Sequence, residues 1–329
     1  MLTLDLLVGQ PRAVDLLRHA LTAHGRLHHA YLFAGPPGVG KRTAALALAA
    51  AIACPEAPGS GCGRCNACRH VATGTHPDVL HIVPDRSKAR PEIKIEQVRE
   101  ELLPRLAFLP NESPSRIVLL EDADLMNPIA ANALLKTLEE PPNGTRFVLT
   151  CDAPSRLPAT IPSRCQVVRF VPLGEEPLVK LLVERHGFAD ADARAAARLA
   201  EGSPGNALAV AASGEAASQA DLARRVLTNA LERQGTSSVA SDAWAQRTLL
   251  PGALILARQL IRDALVETSA AHAADDLVRS LARRPPADLF AAAQTLEDTR
   301  VALEGNANPQ VWLEALSVRL GRVLMAVTQ

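Results

Sequence analysis

A chain of 329 residues, 48% hydrophobic but only 3% aromatic, has ample material to bury and must pack it with small and aliphatic side chains, which favours helices. It is too long for one ordinary core, so two or three domains are expected. Acidic and basic residues balance at 35 each, which excludes a bulk field drawing the molecule onto nucleic acid or a membrane surface; with no leader-like start and no bilayer-length apolar run, a soluble cytoplasmic protein is expected.

In chain order, residues 10–24 (QPRAVDLLRHALTAH) carry apolar side chains at helical spacing, and residues 29–34 (HAYLFA) form a short apolar strand running into the stretch GPPGVGKRT at 35–43. Residues 42–53 then read as a helix, completing the strand, loop and helix order of a phosphate-binding βα unit. Further strands are expected at 79–83, 116–120, 146–150 and 166–170, with helices over 95–107 and 128–140. Short apolar strands alternating with helices indicate a parallel sheet covered on both faces, ending near residue 170. Beyond Pro172 only helices are expected: a compact unit over 175–212 with a turn at 201–206, a hinge at Ser213 and Gly214, and amphipathic helices from 217 onward. Those helices are broken at Gln234–Ser238, Pro251–Gly252, Arg284–Pro286 and Asn306–Pro309. The expected domains are therefore 1–170, 171–213 and 214–329.

A phosphate loop needs glycines that let backbone N–H groups turn inward, a lysine for the β and γ phosphates, and a hydroxyl that ligates Mg²⁺. Gly35, Gly38, Gly40 and Lys41 meet the first two requirements, but the hydroxyl position holds Arg42. Thr43 stands one residue later, turned about 100 degrees around the helix. The acidic partner of such a loop follows a buried strand, and RIVLLEDAD at 116–124 places Glu121 where an aspartate is expected and Asp122 where the water-activating glutamate is expected. Some affinity for a phosphate, ATP or ADP is expected of this loop, and turnover is not. A turn kept only for packing is the plainer alternative.

Cys54, Cys62, Cys65 and Cys68 have the spacing C-x7-C-x2-C-x2-C in a segment rich in glycine and proline. Two overlapping C-x2-C units bring four thiolates to one centre, a closed tetrahedral set that suits structural Zn²⁺, with an iron–sulfur cluster as the rival. His70 and His76 are the nearest alternative ligands, His76 reading better as a hydrogen-bonded turn residue before the next strand. Cys151 and Cys165 read as buried, unligated thiols.

The run PIAANALLKTLEEPP at 128–142, followed by IPSRC at 161–165, closely resembles clamp-loader subunits of the AAA+ class, and the likeness extends over nearly the whole chain. It implies a RecA-like α/β domain over 1–170 carrying a zinc module at 54–68, a small helical lid over 171–213 and a helical collar over 214–329. It further implies that Arg164 reaches across a subunit interface as an arginine finger for a neighbour's ATP. Active relatives carry a nucleotide-sensing arginine where GSPGNA at 202–207 has Gly205. Thr150, Cys151 and Asp152 all stand where the γ-phosphate sensor belongs.

The implied function is that of a non-hydrolysing stator in a heteropentameric loader. Its partners would be ATPase motor subunits and a clamp-opening subunit, and, through the complex, the sliding clamp and primer-template DNA. An active ATPase motor subunit is the alternative. A zinc-dependent nucleic-acid binder is disfavoured, because only Arg64 and Arg69 lie near the cysteines and no aromatic platform accompanies them.

Overall fold

The computed structural model describes residues 2–22, 27–85, 91–142, 144–232, 248–266, 275–304 and 308–324. The break expected at Gln234–Ser238 lies outside these residues, as do Asn306 and Ala307 of the last expected break and the final two residues of the helix expected over 10–24. The chain divides into two compact units, one of Met1–Pro177 with Gly202–Gly205 and one of Leu178–Glu201 with Asn206–Gln329. No helix of the described residues is long and apolar enough to cross a membrane.

The first unit is built on a five-stranded parallel sheet. Strand β1 (Ala30–Ala34) pairs with β4 (Thr145–Cys151) on one side and with β5 (Gln166–Arg169) on the other, while β3 (Arg116–Leu120) joins β4 to the outer strand β2 (Val79–Ile82). The order is β2-β3-β4-β1-β5. Inner strands must be apolar on both faces: β1 and β3 are buried throughout, whereas the edge strand β5 buries Val168 and exposes Val167 and Arg169. Alternation along β1 divides the core in two. Tyr31 and Phe33 pack with Leu17 of helix α1 (Pro11–Leu21) and Leu48 of α2 (Lys41–Ala53). Ala30, Leu32 and Ala34 face the other way, toward Ile93, Leu102, Leu134 and Leu138.

Two local features depart from the expected pattern. The cysteine segment contains a helix, α3 (Asn66–Thr73), closed by Gly74 in the left-handed conformation. The helix expected over 95–107 is a π-helical turn at Gln97–Leu102 running into the short α4 (Leu103–Leu106), where Pro104 lacks the N–H that would continue regular α-helical bonding. The segment 128–140 is regular as α5 (Pro128–Glu139), with the Asn127 side chain accepting the Ala130 N–H at its start.

Below the sheet's N-terminal edge, Asp78 is fully buried and accepts the N–H groups of Asn111 at 2.7 Å, Glu112 at 2.7 Å and Ser113 at 2.9 Å. Arg116, also buried, donates to the carbonyls of Arg105, Phe108 (2.5 Å) and Leu109 (2.9 Å). Together they shape the connection into β3, on which Phe108 and Leu109 stand exposed. Burial alone would raise the Asp78 carboxyl, but the three backbone donors outweigh it and hold the group below the usual carboxylate range.

The second unit is helical: α6 (Glu175–Lys180) leads through a π-helical turn to α7 (Asp190–Leu199), then come α8 (Pro204–Ser213), α9 (Ala216–Glu232), α10 (Leu250–Val266), α11 (Asp276–Ala282), α12 (Pro286–Glu304) and α13 (Pro309–Leu324). Pro251 and Gly252 open α10 and do not interrupt a helix, since a proline's missing N–H is harmless in a first turn. In α13 the buried stripe is Leu313, Leu316, Leu320 and Leu324, and Val311 is exposed. Arg258 of α10 binds Glu201 at 3.1 Å and Glu297 of α12 at 2.9 Å, and Gln259 donates to the Arg198 carbonyl at 2.5 Å, so α7 is anchored on α10.

Replacing Asp78 with Ala leaves three backbone donors without their acceptor and is expected to lower stability by about 2–4 kcal/mol in urea unfolding. Because the folded carboxyl is depressed, its contribution is present above the ordinary carboxylate value and disappears as pH falls through the folded one. The gap between wild type and variant is therefore expected to be full at pH 7 and to close progressively below pH of about 4.

Candidate functional site

The phosphate loop leaves the C-terminal end of β1. Gly35 donates its N–H to Cys151 at 3.2 Å, and a Cβ there would lie 2.3 Å from the Phe170 carbonyl oxygen, so only glycine lets β5 and the loop approach this closely. Gly40, with φ of 102°, turns the backbone into α2. Gly38 offers its carbonyl to the Gly205 N–H at 3.0 Å, and a Cβ on Gly205 would come within 3.3 Å of the Gly38 Cα. The residue standing where active relatives are expected to carry an arginine is thus in backbone contact with the loop.

Lys41 is 6% exposed and turns back into the loop. Its ammonium donates to the Gly35 carbonyl at 2.7 Å, the Pro36 carbonyl at 2.6 Å and Asp152 Oδ1 at 2.6 Å. Arg42, about 100 degrees further around α2, points to a different strand. Its Nε donates to Glu121 Oε1 at 2.5 Å, and His81 Nε2 of β2 meets the same oxygen at 2.6 Å. Burial would raise the Glu121 carboxyl, but the hydrogen bonds and charges of His81 and Arg42 prevail and hold it below its usual range. Thr43 lies half-buried in the first turn of α2.

Among the three sensor candidates the structure distinguishes clearly. The Thr150 hydroxyl accepts the N–H of Asp122, which sits in the left-handed region with φ of 49°. Cys151 is buried, its thiol pushed up to about 12 by that burial. Of the three side chains only that of Asp152 reaches the loop, through Lys41, while Cys151 meets it by its backbone carbonyl; the Asp152 N–H is held by Asp124 at 3.2 Å. Sequence reasoning passed over His81, although a histidine inside the apolar run VLHIV was its signal.

Arg164 ends a 3-10 turn, Pro162–Arg164, just before β5. Its guanidinium donates to the Thr160 carbonyl at 2.9 Å and to Ser163 Oγ at 3.3 Å, and it pairs with Glu139 at the end of α5. In the parallel register Gln166 is level with Tyr31, and the loop begins only at Gly35. Arg164 therefore lies beyond the opposite end of the strands, roughly 13 Å or more along the sheet from its own phosphate loop. Glu139 was not anticipated from sequence as its partner.

The four cysteines converge. Cys54 follows the last residue of α2, Cys65 caps α3 by accepting the Cys68 N–H, and the four sulfurs lie within 4.8 Å of one another. The Cys54 and Cys65 sulfurs are 3.8 Å apart, matching the edge of about 3.8 Å in a tetrahedron with 2.3 Å metal–sulfur bonds. N–H groups of Ala57, Cys62 and Cys65 point at sulfur at 3.3 Å, which favours thiolates. Burial would raise Cys54, yet the N–H groups of Cys62 and Ala57 and its neighbouring thiols bring it down to about 7. Burial drives Cys68 up to about 12. These residues can hold one metal ion, whose charge would offset that cost. His76 uses Nδ1 to accept the Asp78 N–H, as a turn residue does, and Cys165 is half-buried.

Comparison with known proteins adds the family. The family described as DNA polymerase III, delta subunit, matches residues 9–174, which hold the phosphate loop, the four cysteines and Arg164. The DNA polymerase III subunit delta' of Bacillus subtilis is 39% identical over 176 residues, 54% of this chain and 52% of that protein. The DNA polymerase III subunit tau of Escherichia coli is 32% identical over 321 residues, 88% of this chain and 49% of that protein. The chain spans about half the length of the curated relatives it matches. A DNA polymerase III gamma subunit-related protein of Thermotoga maritima superposes with a TM-score of 0.43 at 17% identity, covering 94% of this chain and 98% of that one. On the match over residues 9–174 and its delta' relatives, the chain belongs to the DNA polymerase III delta-subunit family and is delta-prime-like.

Proposed function

We propose that this chain is the non-hydrolysing, delta-prime-type stator of a bacterial clamp loader. It would be cytoplasmic and sit in a heteropentamer with ATPase motor subunits and a clamp-opening subunit that places the sliding clamp on primed DNA. Its α/β unit is then an AAA+ domain, residues 171–213 a lid and residues 214–329 a collar that holds the ring. The observation that carries the reading is the division of labour among its arginines and lysine. Lys41 and Arg42 are both committed to acidic side chains of this chain, Asp152 and Glu121. Arg164 stands partly exposed at the other end of the sheet, where it serves a neighbour's γ-phosphate in trans.

The cysteine module is read as a structural Zn²⁺ site. Four thiolates complete the tetrahedron and leave no position for water, so the ion would tie α2 to α3 and take no part in chemistry.

A second reading, an active motor subunit, is favoured by the likeness to subunit tau over 88% of the chain. It requires turnover by the isolated chain, abolished in Lys41→Ala. Against it stand Arg42 in place of the metal-binding hydroxyl and Asp122, a methylene shorter than the glutamate that activates water.

Purified alone, the chain is expected to release no phosphate from ATP. In the reconstituted complex Arg164→Ala is expected to slow the site it serves by on the order of 10³-fold, read as a fall in DNA-stimulated ATPase; full activity would refute the finger assignment. Elemental analysis is expected to find one zinc per chain, lost in Cys65→Ser together with a drop in the thermal midpoint. An iron signal or a visible charge-transfer absorption would reverse the metal assignment.

A further inference from the structure

We propose that the phosphate loop of this chain has been turned into a structural clasp, in which the two cations at the start of α2 lock the helix to the C-terminal ends of β3 and β4. The proposal rests on the reading that this subunit does not turn over nucleotide.

An ammonium has three N–H donors. Lys41 directs them to three acceptors of its own chain, the Gly35 and Pro36 carbonyls and Asp152 Oδ1, all at 2.6–2.7 Å. At 6% exposure this cation is almost dry, so its partners are obligatory: an unpaired charge there would be strongly unfavourable. Beside it, Arg42 occupies the position of the metal-ligating hydroxyl and places a permanent positive charge on Glu121, the acid at the metal-side position. Glu121 is 15% exposed and shares that oxygen with His81 of the neighbouring strand. The guanidinium thus stands where a metal ion would, and the residues present do not fit a Mg²⁺-bound nucleotide. Backbone contact completes the fastening, since the Gly38 carbonyl is taken by the Gly205 N–H. The clasp joins α2 to the ends of β3 and β4, and through His81 to β2, by side chains, and the loop to the 202–205 turn by backbone.

The two designs predict opposite signs for one measurement. In a ligand site, the lysine is held for the phosphate, so removing it leaves the nucleotide-free protein as stable as before or more so. In a clasp, removing it exposes Asp152 and two carbonyls to a loss that needs no nucleotide to be seen.

The test is thermal unfolding of the full chain without nucleotide, for wild type, Lys41→Met, Asp152→Asn, Arg42→Ser, Glu121→Gln and the two paired double variants. The clasp predicts that each single variant lowers the midpoint by about 3 °C or more, and that each double variant falls by clearly less than the sum of its singles. Should Lys41→Met fail to fold, the Arg42 and Glu121 cycle alone decides. Unchanged or raised midpoints, or additive pairs, overturn the proposal. So does a rise in wild-type midpoint with Mg²⁺ and ATP or ADP that is absent in Lys41→Met. None of these outcomes touches the Arg164 assay in the assembled complex, so failure of the clasp and failure of the stator reading are separately visible.

Discussion

Because β1 pairs in parallel with β4 on one side and β5 on the other, all five strands deliver their C-terminal ends to one edge of the sheet and their N-terminal ends to the other. Much of the first unit's chemistry follows from that polarity. The glycine loop, Glu121, and the Thr150 to Asp152 segment converge because each follows or ends a strand. Arg164 is kept away from them because it precedes one. No loop rearrangement could bring it to the loop of the same chain without breaking the register of β5, and its partners within the chain are Thr160, Ser163 and Glu139.

Convergence creates an electrostatic problem that the chain resolves internally. Two cations stand side by side at the start of α2, where the helix dipole already favours negative charge. In a nucleotide site the negative charge of the triphosphate would answer such cations. Here Asp152 pairs with Lys41 and Glu121 with Arg42. Two of the departures from the expected loop pattern have local partners: Arg42 pairs with Glu121, and the small Gly205 allows the close approach to Gly38.

The four cysteines gather at the other end of the same helix. Cys54 follows the last residue of α2 and Lys41 begins it, so the thirteen-residue helix has the cysteine cluster at one end and the Lys41 and Arg42 ion pairs at the other, roughly 20 Å apart. Between them the helix is nearly all alanine and leucine and buried on every side, which lets it lie close to the sheet.

Much was legible from residues alone. The apolar strands, the loop and the regular helix over 128–139 declare themselves through local periodicity and turn chemistry, and the C-x7-C-x2-C-x2-C spacing announces a thiol set by itself. Those signals are short-range, and the physics behind them, side-chain alternation, helix capping and ligand softness, is short-range too. What stayed hidden were the pairings: Lys41 with Asp152 across 111 positions, Arg42 with Glu121 across 79, His81 on that same carboxylate, and Arg164 with Glu139. The helix within the cysteine segment was hidden as well, since its cap is a thiol that only the gathered cluster orients. Sequence determined which charges the chain carries and that its loop lacks a metal-binding hydroxyl. Only the tertiary structure decided where those charges go, because an ion pair depends on which strand ends the parallel sheet brings together, and that is a property of the register and not of any neighbouring residue.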